Sequence, residues 1–178
     1  IDGVGDVLID EGRIVWVGEN MGELPNENYH VLHAEGMIVS PGFIDLHCHL
    51  REPGFEDKEP IDTGTRAAAD GCFTTICCMP NTNPPLDSQA SIDYVKKTAE
   101  TEGTVRVLPI GCITKGRLGK ELTEMNELAN AGAVGFSDDG DPVTNSLIMT
   151  LAMDYSRGLG LPIIDHCEDK ELADGGFM

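Results

Sequence analysis

Basic residues are scarce in this chain: 12 Lys and Arg stand against 31 Asp and Glu, a formal net charge of −19 over 178 residues. Nucleic acids and anionic membranes both recruit clustered Lys and Arg, so neither is expected as a partner. The acid is spread along the chain rather than gathered in a tail, as in a well-solvated surface. Long apolar runs are also missing, none approaching the ~20 residues of a membrane span, and no signal-peptide pattern is present. A cytoplasmic protein is the expectation. The six cysteines, Cys48, Cys72, Cys77, Cys78, Cys112 and Cys167, include no Cys-x-x-Cys pair. They are expected to be reduced and mostly buried, not part of a disulfide framework or a Cys-based zinc site.

The length suits one domain or a piece of a larger one. The chain opens at Ile1 without a Met and stops at Gly175-Gly176-Phe177-Met178 without a polar tail, so a piece is expected. Organisation changes near residue 40. Before it, short strand signals at 6–10, 13–17, 31–34 and 37–39 are punctuated by Gly12, Gly18, Gly22 and Gly36, which predicts a small β-rich unit over 1–40. Beyond it, strand patterns at 43–49, 72–79, 105–112, 133–137 and 162–166 alternate with helical stretches at about 60–70, 88–101, 121–131 and 144–158. Ser88 is placed to cap the second helix and Gly132 to end the third. Strands alternating with helices imply a parallel sheet, and apolar runs such as Thr74 to Met79 suit strands buried on both faces. Residues 41–178 therefore read as α/β, a partial TIM (β/α)8 barrel of about its first five β/α units.

The densest chemistry is Asp45-Leu46-His47-Cys48-His49-Leu50-Arg51-Glu52-Pro53-Gly54. Successive strand side chains alternate faces, so Asp45, His47, His49 and, with continued extension, Arg51 share one face. Two histidines so spaced can grip one metal ion. Pro53-Gly54 ends the strand, which puts the pair at its C-terminal tip, the end where parallel barrels do chemistry. The other tips add to it. Asn81 follows Met79-Pro80 and offers a donor and an acceptor, a chemistry that also suits a local turn. Ser137-Asp138-Asp139-Gly140-Asp141 crowds three carboxylates, which repel unless solvated or shared by a cation. Asp165-His166-Cys167-Glu168 supplies a third imidazole. His30 and His33 lie outside this pattern and receive no role.

Pro41-Gly42-Phe43-Ile44-Asp45-Leu46-His47-Cys48-His49-Leu50-Arg51-Glu52-Pro53-Gly54, with Glu59 downstream and then Met79-Pro80-Asn81-Thr82-Asn83-Pro84, resembles the long-chain dihydroorotases of the amidohydrolase superfamily. The resemblance covers essentially the whole chain, with 1–40 similar to the composite sandwich flanking the barrel. It implies a zinc-dependent hydrolase that reversibly opens dihydroorotate to N-carbamoyl-aspartate in pyrimidine biosynthesis. It also implies one or two zinc ions on His47, His49, Asp139 and His166, and a substrate carboxylate held by Arg51 with help from Asn81. A planar guanidinium suits that carboxylate because it can pair with it bidentately. Many superfamily members bridge two metals with a carboxylated Lys at the fourth strand, but no Lys lies between Lys120 and Lys170. Relatives of this type carry an Asp there; the matching residue is Asp139, with Asp138 the alternative. A further His from strand six and a proton-carrying Asp from strand eight are implied beyond Met178, so the 178 residues alone are expected to be inactive. A homodimer and association with aspartate transcarbamoylase complete the implied partners. The rival readings are a hydantoinase, allantoinase or dihydropyrimidinase-like cyclic amidase, for which Arg51 would be dispensable, and a non-catalytic scaffold.

Overall fold

Glu11 (φ 48°) and Gly12 (φ 72°) both take left-handed backbone, the combination that a tight type I′ hairpin requires. They join β1 (Asp6–Asp10) to β2 (Arg13–Gly18), an antiparallel pair. The structure is a computed structural model that describes residues 3–23 and 28–176; Ile1, Phe177 and Met178, at the chain ends noted above, lie outside it. The chain divides into two compact units, Ile1–Ser40 and Pro41–Met178. In the first unit the segments 31–34 and 37–39, expected as strands, form none. A stretch of alternating residues becomes a strand only where a neighbouring backbone pairs with it, and here Leu32, Met37 and Ile38 stay exposed.

The second unit is built on a parallel sheet in the order β3 (Phe43–Cys48), β4 (Phe73–Cys78), β5 (Arg106–Pro109). Its connections are α1 (Ile61–Asp70) and α2 (Gln89–Glu102). Ser88 caps α2 in a capping box with Ser91, as its position predicts. The expected strands at 133–137 and 162–166 are reduced to bridges of Phe136 with Gly111 and Ile163. Parallel pairing nonetheless continues through them: Val134 N–H donates to Pro109 O, Ser137 N–H to Gly111 O and Ile164 N–H to Phe136 O. Pro162 can only accept, from Phe136 N–H, which shortens the ladder there.

The third helix starts later than its pattern suggests. Residues 121–123 pair back onto 113–115, through Lys115 N–H to Glu121 O and Thr123 N–H to Ile113 O, and α3 spans only Met125–Ala131. It ends at Gly132, whose φ of 117° is closed to other residues. After it come α4 (Ser146–Leu159), capped by Asn145, and the single turn α5 (Lys170–Ala173).

A main core lies between sheet and helices, centred on Ile61, Ile76, Ile92, Val95, Leu128 and Phe136. A smaller one of Cys77, Met79 and Ile110 lies on a separate cluster with Leu108, Val134 and Ile164. The candidate site stands at the C-terminal ends of these strands. Of the cysteines, Cys77, Cys78 and Cys112 are buried and Cys48 is half-buried, whereas Cys72 and Cys167 are exposed.

Candidate metal and substrate site

His47 is the penultimate residue of β3 and His49 lies just past its end, and both imidazoles meet Asp139, which follows the bridge residue Phe136. His47 Nε2 lies 3.4 Å from Asp139 Oδ1, and His49 Nε2 lies 3.5 Å from Oδ2. Two atoms each 2.0–2.1 Å from one zinc at a tetrahedral angle stand about 3.3–3.4 Å apart, so these gaps fit a shared ion. The ligand atoms of His47, His49 and Asp139 all fall within 4.8 Å of one another. His166 approaches the same carboxylate, Nδ1 to Oδ1 at 3.6 Å, and its Nε2 lies 3.2 Å from Glu168 Oε2.

Asn81 ties this group together. Its Oδ1 lies 2.9 Å from His49 Nδ1, and its Nδ2 donates to Asp139 Oδ2 at 3.0 Å. A carboxylate only accepts, which fixes the amide's orientation, so His49 Nδ1 must carry the hydrogen. For a neutral imidazole, Nε2 then turns a lone pair toward a carboxylate oxygen, an unfavourable pairing that a cation between them would relieve. The donor set of imidazole nitrogens and one carboxylate suits zinc.

Asp138 faces away from the histidines. It is almost fully buried and accepts from Ile113 N–H at 2.8 Å, Thr114 N–H at 3.0 Å and the Thr114 hydroxyl. Burial raises its carboxyl above the usual range, opposed by those bonds and by Arg117. Asp139 is therefore the carboxylate turned toward the imidazoles.

Arg51 is half-buried in the loop that follows. Its N–H donates to Glu59 O and its carbonyl accepts from Phe55 N–H. The guanidinium forms no ion pair or side-chain hydrogen bond among the described residues; the adjacent acids are engaged elsewhere, Glu52 by Ile61 N–H and Tyr94 OH, Glu56 by Gly54 N–H. The loops of the first two tips are pressed together. Asn83 N–H donates to Pro53 O, and a Cβ on Gly54 (φ 93°) would overlap the Asn83 carbonyl.

Sequence reasoning did not single out Arg117. It adopts left-handed backbone (φ 58°), ion-pairs with Asp141 at 2.5 Å and buries its Nε without a partner among the described residues. The only local signal is its place between Gly116 and Gly119, both at positive φ.

Residues 36–178 match the family described as Dihydro-orotase-like. The chain belongs to that family. Curated relatives named dihydroorotase include those of Solibacter usitatus, 52% identical over 99% of this chain and 40% of the relative, and Acetivibrio thermocellus, 49% identical over 99% and 41%. That of Aquifex aeolicus is 47% identical over 98% and 41%. The chain thus spans about two fifths of the length of these family members. Among solved structures, L-hydantoinase (dihydropyrimidinase) from Arthrobacter aurescens has a TM-score of 0.82 at 23% identity, covering 96% of this chain and 38% of its own. Dihydroorotase from Saccharomyces cerevisiae in complex with 5-fluoroorotic acid has a TM-score of 0.54 at 17% identity, covering 70% and 36%. At these identities both bear on the fold alone.

Proposed function

We propose that the full-length protein carrying this chain is a zinc-dependent cyclic amidohydrolase that reversibly hydrolyses dihydroorotate to N-carbamoyl-L-aspartate in de novo pyrimidine biosynthesis. The observation that carries the substrate is Arg51, a half-buried guanidinium without an acidic partner among the described residues, on the loop after two clustered imidazoles. A fixed positive fork left open in such a place is complementary to a carboxylate, which dihydroorotate has and a simple hydantoin lacks.

In this reading His47, His49 and Asp139 would hold one zinc, and His166, whose Nδ1 also approaches Asp139, would hold the same ion or serve a second. Zinc bound there lowers the pKa of a water from ~15.7 toward ~7 and polarises the ring amide carbonyl. Asn81 keeps His49 in the tautomer whose Nε2 is free to ligate and fixes Asp139 by its other end; one Nδ2 hydrogen remains for the substrate carboxylate. Arg51 anchors that carboxylate and so orients the ring. The leaving nitrogen takes its proton from an Asp beyond residue 178.

The same reading makes 41–178 the first five units of a (β/α)8 barrel and 1–40 part of a composite sandwich. Support comes from the continuing parallel pairing and from β3, which has no partner on its outer edge among the described residues and whose Phe43, Ile44 and Leu46 are 53%, 60% and 68% exposed. Among the described residues no helix is long and apolar enough to cross a membrane. A cytoplasmic homodimer, associating with aspartate transcarbamoylase, belongs to the same proposal. The test is turnover of dihydroorotate by the full-length protein before and after chelation and zinc return. Turnover of hydantoin or dihydrouracil without turnover of dihydroorotate overturns the assignment.

A further inference from the structure

Glu52 is a carboxylate that the proposed chemistry does not use, yet it is only 8% exposed and both of its oxygens are occupied. Oε2 accepts from the N–H of Ile61 at 3.0 Å, the first residue of α1, and Oε1 accepts from the hydroxyl of Tyr94 on α2 at 2.9 Å. The helix needs this partner, because its own N-cap, Pro60, contributes no side-chain bond. A negative charge there also complements the positive end of the helix. One side chain thus ties the tip of β3 to the start of α1 and to α2, immediately beside Arg51.

Two consequences follow for Arg51. Its backbone is held on both sides, by its own bonds to Glu59 and Phe55 and by the anchored neighbour. Its nearest acid in sequence is also taken out of reach, so the guanidinium stays free for an external carboxylate. We infer that Glu52, clasped by Tyr94 OH and Ile61 N–H, is a positioning residue that sets the Arg51 guanidinium for the substrate carboxylate. This rests on the reading of Arg51 given above. Released from the clasp, Glu52 could turn toward Arg51 and neutralise the charge the substrate needs.

The test uses the full-length, zinc-loaded enzyme with Tyr94→Phe, which removes one hydroxyl from a partly exposed ring, and with Glu52→Gln and Glu52→Ala. Tyr94→Phe is expected to raise KM for dihydroorotate about fivefold, the worth of one ordinary hydrogen bond, with kcat and zinc content little changed. Glu52→Gln, which keeps the shape and one acceptor, should be milder than Glu52→Ala. The decisive comparison repeats Tyr94→Phe in an Arg51→Met background, where KM should not rise further, since no guanidinium is left to position. The same rise in both backgrounds, or no rise in the enzyme with Arg51 intact, overturns the inference while leaving the Arg51 reading in place. An Arg51→Met variant with unaltered KM, or a parent enzyme inactive on dihydroorotate, overturns the Arg51 reading and this inference with it.

Discussion

Replacing Arg51 with Met separates binding from folding more cleanly than any other change at this site. Met keeps the aliphatic length and removes only the planar charge. In the structure the guanidinium has no partner among the described residues, and the loop is held by backbone bonds from Glu59 and Phe55 and by the neighbouring Glu52. Stability should therefore move by no more than about 0.5 kcal/mol, the range of substitutions that break no native interaction. The zinc content should not change, because His47, His49 and Asp139 are untouched. Loss of a charge-assisted bidentate contact costs roughly 3 kcal/mol, on the order of a hundredfold in kcat/KM for dihydroorotate. The assay is steady-state hydrolysis and the reverse ring closure, alongside metal analysis and thermal unfolding of the same preparation. Full kcat/KM in the variant would refute the carboxylate-anchor argument and favour a hydantoinase-like substrate. A large fall in melting temperature would refute the claim that the side chain has no structural role.

Asp139→Asn is expected to lower zinc occupancy at neutral pH by at least tenfold in affinity, since it removes the one carboxylate that meets His47, His49 and His166; equilibrium dialysis against a zinc chelator reads this directly. Brief alkylation of the folded protein at pH 8, read by mass mapping, should label Cys72 and Cys167 and spare Cys77, Cys78 and Cys112. Burial pushes the Cys48 thiol up to about 12 and raises the Cys78 and Cys112 thiols as well. Because these thiols titrate higher in the folded state than the ~8.5 of an unfolded chain, their contribution to stability is complete below that pH and is lost as pH rises above it, so the unfolding midpoint should fall in alkaline buffer.

The period of two along Phe43 to His49 was enough to place both imidazoles on one side of a strand, because alternation is a property of extended backbone alone. Helix ends at Ser88 and Gly132 were equally legible, each being set by chemistry within one turn. The two Asp side chains at 138 and 139 were not distinguishable in that way. Which of them turns toward the histidines depends on Ile113 and Thr114, more than twenty residues upstream, whose N–H groups capture Asp138. The late start of α3 has the same kind of cause: Thr123 is held by the carbonyl of Ile113, a pairing that helical periodicity over 121–131 does not register. Tyr94 reaching Glu52 is a contact between α2 and the loop after β3, and nothing near either residue announces it.

The close approach of Gly54 to Asn83 makes the first two loops of the site a single mechanical part. One carries Arg51 and the other Asn81, so the spacing between these two groups is set by backbone touching backbone, without intervening side chains that could repack. A residue inserted in either loop cannot be absorbed locally, and a side chain at position 54 would act as a wedge, widening the gap between the two. Any change in the distance between Arg51 and Asn81 would therefore have to move both loops together.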